Sequence, residues 1–468
     1  MQTAEATGRT GLAESTTTST LGSALKPRQL TMMGLGSAIG AGLFIGSGAG
    51  IQAAGPAVLL SYLVAGTLII LVMWALGEMA AANPTSGAFS VYTSRALGPV
   101  AGATVGWLWW IQLVVVIAAE ALGAAGLLAT VFPALPVWLM ALLFVAVLTA
   151  VNLTRVKNFG EFEFWFALLK VAAIVGFLAV GAALLFGWIP GIPSPGLVHF
   201  GGGSFAPHGF AGIATALFVV VFAFGGTEIV SVAAAETRDP ARSVGKAVRT
   251  VVWRILVFYV GSIFIIAAVV PAGSAGLKSP FAAVLDAAGM PGAATAITLV
   301  AVVALLSALN ANLYGASRMV YSLAERGEAP RALASLTKSQ VPAAAVLASV
   351  AFGIVATVLE IVFPDQVLPI LLNIVGSTCL MVWGSALLSQ LVLRRRADRD
   401  GVDLPLRMAG FPWLTAVGLV ILAAIFAVGL VGEDSRPQLL STFALVAVLA
   451  AGSALRRRAA VAKVAADA

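Results

Sequence analysis

Apolar residues fill stretches of about 20 along nearly the whole chain, separated by short polar loops, which is the pattern of helices that cross a hydrocarbon layer. Taken in order, the stretches predict twelve spans: roughly 30–53, 57–82, 100–132, 137–151, 162–188, 210–235, 248–270, 293–323, 343–363, 367–393, 413–431 and 438–455. The expected fold class is all-α, a polytopic membrane protein with 12 transmembrane helices. One transmembrane domain over 29–455 is expected, between a disordered tail (1–28) and a second tail (456–468), both cytoplasmic. The loops leave no room for a soluble domain. The segment Glu236 to Arg249 reads either as a short interfacial helix or as a plain linker with basic anchors.

Charge changes this picture by fixing an orientation. The chain carries 27 Lys and Arg residues, and twenty-four of them fall in the tails and the loops on one side of the predicted spans. That count takes in Arg249, Arg254 and Arg318, at the ends of spans on that side; only Lys278 and Arg436 fall on the other side, and Lys170 lies deeper within a span. Basic residues stay in the cytoplasm, so both termini are expected there, in the cell membrane. The same sorting accounts for the net charge of +7 without a nucleic-acid partner. The polar start of the chain lacks the apolar core and cleavage site of a signal peptide, so the first span is expected to remain uncleaved.

Composition removes further classes. The single cysteine, Cys379, excludes an internal disulfide and a cysteine metal cluster. The two histidines, His199 and His208, share one loop, and no His-Glu-x-x-His motif occurs, which argues against an intramembrane metalloenzyme. No cofactor or metal is expected. No output domain suggests a sensor, and no continuous polar stripe suggests a channel.

Two stretches break the helical pattern. The first span holds Gly36, Gly40, Gly42, Gly46 and Gly48 within thirteen residues, and each glycine costs about 1 kcal/mol against Ala in a helix interior. Secondary transporters often carry interrupted helices at matching places in two inverted repeats. A five-span repeat puts the partner of span one in span six, where Phe222-Ala223-Phe224-Gly225-Gly226-Thr227-Glu228 interrupts an apolar run. A six-span repeat would demand a break in span seven, which has only Gly261. Repeats are therefore expected over 29–190 and 208–396, with peripheral helices over 411–455. The alternative is that these glycines only let helices pack closely. If the helices are broken, their freed N–H groups suit a carboxylate and their freed carbonyls suit an ammonium, the two ends of an amino acid.

Ionisable residues in the apolar core are expected to face the bundle interior. Glu78, Glu120, Lys170 and Glu228 are four of these. Lys170 reads as a proton-coupling residue, against a fixed ion pair or a lysine that snorkels to the inner surface. Glu120 reads as a cavity residue or a helix–helix hydrogen bond, Glu228 as a gate or substrate contact or a helix cap, and Glu78 as structural in preference to a gate. Asn310, Asn312, Tyr314 and Ser317 of span eight read as cross-helix bonds in preference to substrate contacts, and Trp107, Trp109 and Trp110 as an interfacial belt.

Motifs spread over nearly the whole chain carry a resemblance. The runs KPRQLTMMGLGSAIGAGLFIGSG from Lys26, LGEMAAANPTSGAFSVY from Leu76, VKNFGEFEFWFALLKVAAIV from Val156, FGGTEIVSVAAAETRDPARSV from Phe224 and NANLYGASRMVYSLAERGEAP from Asn310 resemble bacterial amino acid permeases of the amino acid–polyamine–organocation superfamily. GABA permeases are the nearest in motif. Aromatic, proline and D-alanine/D-serine/glycine permeases follow.

The resemblance implies a leucine-transporter-like fold of five-plus-five inverted repeats with two extra helices. It also implies proton-driven import of an amino acid by a protein that works as a monomer. It implies that the substrate carboxylate meets the amides of Ala41, Gly42 and Leu43. The amino group would meet carbonyls of Ala38, Ile39, Phe222 and Gly225, and Phe224 would gate. Lys170 matches a fifth-helix lysine that stands where relatives bind sodium, and Glu228 matches a sixth-helix gating acid. The chain departs from GABA permeases at Ala118-Ala119, where they carry Pro-Leu ahead of the third-helix acid, and at Gly225-Gly226. The partners implied are an amino acid, protons and the lipid bilayer. An amino acid/amine exchanger on the same fold is the alternative.

Overall fold

The computed structural model describes residues 39–85, 87–153, 156–229, 256–364, 366–433 and 435–467, with 242, 245 and 248 between them. The predicted tail over 1–28, Ala38 and most of 236–249 lie outside the described residues. Helices dominate, and no strand occurs among the described residues. The helices are α1 (Ala41–Phe44), α2 (Gly46–Ala54), α3 (Val58–Ala82), α4 (Ala88–Leu97), α5 (Pro99–Val131), α6 (Val137–Asn152), α7 (Val156–Leu185) and α8 (Gly209–Phe224). They continue as α9 (Gly261–Val269), α10 (Pro280–Ala287), α11 (Pro291–Glu325), α12 (Ala343–Val362), α13 (Val367–Arg399), α14 (Trp413–Val431) and α15 (Arg436–Asp467). Among the described residues, eight helical runs are long and apolar enough to cross a bilayer, with 41–82 counted as one, and 137–152, 209–224 and 257–269 are shorter apolar helices.

Local chemistry sets many of the boundaries. Pro99, Pro280 and Pro291 open α5, α10 and α11, where a missing N–H costs nothing. Gly98, at φ +99°, supplies the left-handed turn between α4 and α5. Helices α4 and α10 interrupt stretches that the hydropathy pattern reads as loops. They are short and carry polar residues, so the apolar period does not reveal them.

The centre of the bundle is α5 packed along α11, with α4, α6, α12, α13 and α15 also against α5. Helices α2 and α3 pack on α8, and α7 on α9 and α11. Polar bonds tie neighbours where lipid offers no alternative partner. Asn152 Nδ2 donates to Asn310 Oδ1 at 2.6 Å, and Ser377 and Thr442 hydroxyls meet at 2.7 Å. Asn310 thus bonds across helices, as its chemistry predicts, while Asn312 and Ser317 bond carbonyls of their own helix, Ala308 and Tyr314. The tryptophans depart from expectation. Trp109 is fully buried, edge-on to Phe89 at 4.8 Å, and Trp110 donates to Ser349 Oγ at 3.0 Å. These two indoles join helices instead of forming a belt, because α5 is the central helix and presents little surface to lipid.

Glu78 is held by three neighbours. Its Oε2 meets Arg394 at 2.8 Å and accepts the Met408 N–H at 2.6 Å, and its Oε1 accepts from Gln390 at 3.1 Å. The acid clamps α3, α13 and the segment ahead of α14 at the end of the bundle that bears Arg394 to Arg396. Removing Glu78 leaves Arg394 with only the more exposed Asp398 and strips the Met408 N–H and the Gln390 amide of their buried acceptor. Glu78→Ala should therefore lower the unfolding free energy by about 3 kcal/mol, read from thermal denaturation in detergent. Glu78→Met combined with Arg394→Met should recover part of the loss.

Candidate functional site

The first glycine stretch is described from Ile39 onward, where Gly40 precedes the start of α1. Gly40 is extended (φ −146°, ψ −148°) and the helix begins at Ala41. Only a slight kink at Ile45 separates α1 from α2, and the Ile45 N–H still bonds Ala41 O at 2.8 Å. The Ala41 N–H donates to both carboxylate oxygens of Glu120 on α5, at 2.9 Å to Oε2 and 3.1 Å to Oε1. A carboxylate at a helix N-terminus is doubly favourable, through the hydrogen bonds and through the helix dipole. Gly40 is required by this approach. A Cβ there would run into Glu120 Oε1 and come within 2.8 Å of the Ala308 methyl.

The other predicted groups of this segment divide. The Leu43 N–H bonds Gly40 O at 3.1 Å and closes the first turn. Gly42 faces away from Glu120's bond to Ala41 and onto α8, where a Cβ would collide with the Ala223 backbone and meet the Ala223 methyl at 3.0 Å. Its missing side chain therefore serves close packing of the two interrupted helices. Ile39 is buried beside the break, and Ala38 lies outside the described residues.

The second glycine stretch lies at the end of α8, and residues 230–241 that follow it lie outside the described residues. Helix α8 ends at Phe224, and Gly226, at φ +96°, turns the chain in a region that side chains rarely adopt. Local donors take the freed carbonyls. Gly225 N–H bonds Phe222 O at 3.0 Å, the Tyr259 hydroxyl bonds Ala223 O at 2.8 Å, and the Thr227 hydroxyl bonds Phe224 O at 3.1 Å. The Phe224 ring packs 4.9 Å from Tyr259 and 5.9 Å, edge-on, from Tyr62. Glu228 is fully buried beside Trp383 and Cys379 of α13, and Thr227 donates to its Oε2 at 3.3 Å. A Cβ on Gly225 would lie 3.7 Å from Cys379 Sγ, to which Gln112 Nε2 of α5 donates at 3.5 Å. The Gln112 Oε1 atom is buried with no partner among the described residues.

A charged cluster joins these breaks to α7. Lys170 is 0% exposed, so the snorkelling reading fails. It feels the charges of Glu163 and Glu120. Glu163 in turn accepts from Ser307 Oγ of α11 at 2.8 Å on each oxygen. Sequence reading missed Glu163, because its place at the start of a span resembles an interfacial anchor. Its spacing was the available signal: seven residues from Lys170 is two helical turns on one face. The Tyr259 hydroxyl, which bonds Ala223 O, also lies within electrostatic reach of Glu120.

Helix ends and buried charges meeting inside an apolar bundle define a polytopic helical membrane protein whose site lies between its helices. The sequence profile described as amino acid permease matches residues 29–450, and the chain belongs to that family. It is 47% identical over 427 residues to an aromatic amino acid transport protein of Corynebacterium glutamicum, covering 90% of this chain and 92% of that one. It is 45% identical over 428 residues to a gamma-aminobutyric acid permease of Bacillus subtilis, covering 91% of each. A gamma-aminobutyric acid permease of Escherichia coli matches at 39% over 425 residues, covering 90% of this chain and 91% of that one.

Gly40→Ala provides a direct check of the first break. The added methyl has to displace the Glu120 carboxylate, so uptake of a labelled amino acid should fall at least tenfold while the protein still inserts. Gly126→Ala on α5, where a Cβ meets nothing within 4 Å, should transport normally in the same assay.

Proposed function

We propose that this chain is a secondary active permease that imports an amino acid together with a proton across the cytoplasmic membrane. The observation that carries the reading is the Glu120 carboxylate seated on the Ala41 N–H. A helix end of this kind suits the carboxylate of an amino acid, and here the chain's own acid holds it. Substrate carboxylate and Glu120 then compete for one donor. Among the described residues the cluster around it holds two carboxylates, Glu120 and Glu163, and one ammonium, Lys170. With both acids ionised one negative charge is in excess, and an unbalanced buried charge is costly. When the substrate carboxylate takes the Ala41 N–H, it adds a second. One proton taken up by the cluster offsets that addition, which couples the two cargoes.

The rest of the pocket follows from the second break. Carbonyls of Ile39, Ala38, Phe222 and Gly225 receive the substrate ammonium. Gly42 brings α1 and α8 close enough for both breaks to share one substrate, and Leu43 closes the turn that presents Ala41. Phe224, with Tyr62 and Tyr259, covers the pocket. Glu228 acts on the gate through the turn it shares with Gly225 and Gly226. The helices form twelve crossings as a five-plus-five inverted repeat with two peripheral helices, and both termini are cytoplasmic. The matching breaks and the one-sided distribution of basic residues support that arrangement. It implies transport without chemical conversion of the substrate.

The substrate is proposed to be GABA or a related small amino acid. An aromatic amino acid is the second reading, favoured by the relative at 47% identity and by the three rings at the second break. Competition by GABA, phenylalanine, proline, alanine and glycine in one uptake assay separates the two.

Proton coupling has its own test. Glu120→Gln keeps an acceptor for Ala41 but loses the charge. In proteoliposomes this variant should retain substrate counterflow and lose accumulation driven by an imposed pH gradient. Wild-type accumulation by Glu120→Gln, or accumulation that survives a protonophore in the unaltered protein, overturns the symport reading in favour of exchange. Lys170→Ala leaves two carboxylates without a cation and should reduce concentrative uptake at least tenfold.

A further inference from the structure

A cavity lies apart from the residues of the helix breaks. A groove of about 530 Å³ opens between α5, α15 and the turn that follows α11. Val100 and Ala103 of α5 form one wall, and Val448 and Leu449 of α15 form the other. Arg456 and Arg457 stand at its mouth. Gly452 shapes it, since a Cβ there meets nothing within 4 Å.

The basic groups around the groove are not equivalent. Arg326 is committed. It pairs with Glu328 at 3.0 Å and donates to Ser322 at 2.7 Å and Ser90 at 2.5 Å. Arg456 donates to the carbonyls of Glu328 at 3.0 Å and Ala329 at 3.2 Å, which fixes its position without cancelling its charge. Arg457 makes no hydrogen bond or ion pair with any described residue. The one carboxylate lining the groove, that of Glu328, belongs to Arg326. Two uncancelled cations therefore sit above an apolar slot.

The slot is on the lipid-facing side. Only 11% of the apolar window of α15 is buried inside the protein, and Val448 is 68% exposed. We propose that this groove binds an anionic phospholipid, with the phosphate at Arg456 and Arg457 and an acyl chain along Val448 and Ala103. Charge complementarity selects an anionic headgroup, and the apolar walls select a lipid over free phosphate. Bound there, the lipid braces α15, the least covered of the long helices, against α5. The inference rests on the helices being embedded in a bilayer and not on the substrate or the proton.

The experiment uses the full chain in detergent. Phosphatidylglycerol, phosphatidylcholine and glycerol phosphate are each titrated while thermal unfolding is followed, and retained lipid is counted by native mass spectrometry. Phosphatidylglycerol should raise the midpoint by several degrees and remain bound, while the other two should do neither. Arg457→Gln removes a side chain that holds nothing else, and Gly452→Leu fills the slot from an open position, so both should fold. Each should weaken phosphatidylglycerol binding at least threefold. An equal shift with phosphatidylcholine, a response to glycerol phosphate alone, or an undiminished response in both variants overturns the proposal.

Discussion

The architecture of the site depends on one hydrogen-bonded pair, the Ala41 N–H and the Glu120 carboxylate. A charged acceptor raises the net contribution of such a bond to about 1.5–3 kcal/mol, against about 0.5–1.5 kcal/mol for a neutral one. The charge itself has to be kept away from lipid, and this second demand organises the neighbourhood. Glu120 needs Lys170 within electrostatic reach, Lys170 brings Glu163 on the same face of α7, and Glu163 needs the Ser307 hydroxyl on α11. Four helical elements are thus fixed to one another by the requirement that no buried charge stand alone.

Packing and binding are not alternatives for the glycines of the first span. Gly42 lets α1 rest on the Ala223 backbone, and Gly40 lets Glu120 approach. The two contacts hold the same turn, since α1 rests on α8 at Gly42 and meets α5 at Ala41. Gly48 shows the purely structural case, with a Cβ colliding with the Leu277 carbonyl. Gly226 shows the conformational case, where a positive φ ends α8 and turns its last carbonyls toward Tyr259 and Thr227. One residue type serves three physical ends within a few ångströms, and its frequency in the chain does not distinguish them.

That accounts for what could be read in advance. The end of α8 was legible, since Gly225-Gly226 followed by an acid falls in a long apolar run. Burial of Glu120, Lys170 and Glu228 was legible too, because an ionised side chain in a span has few other options. The start of the first break was not, since any of five glycines fits the pattern and only the partner surface selects Gly40. The tryptophans misled because an indole near a span end satisfies both an interfacial belt and a helix contact. Only the central position of α5 decides between them. Glu163 escaped because a boundary uncertain by a turn moves an acid from membrane to interface.

The competition at Ala41 also bears on the order of events in the proposed cycle. While Glu120 holds the helix end, α1 is tied to α5 as well as to α8, and the first break is braced from two sides. A substrate carboxylate that takes the donor releases the α5 tie and leaves the contact with Ala223 in place. Loosening one tie and keeping the other is what a hinge requires. Tyr259 is suited to register the change, since it lies within electrostatic reach of Glu120 and holds the Ala223 carbonyl. Charge balance and mechanical release then originate in the same bond, so a substrate that lacks a carboxylate has no means to trigger either.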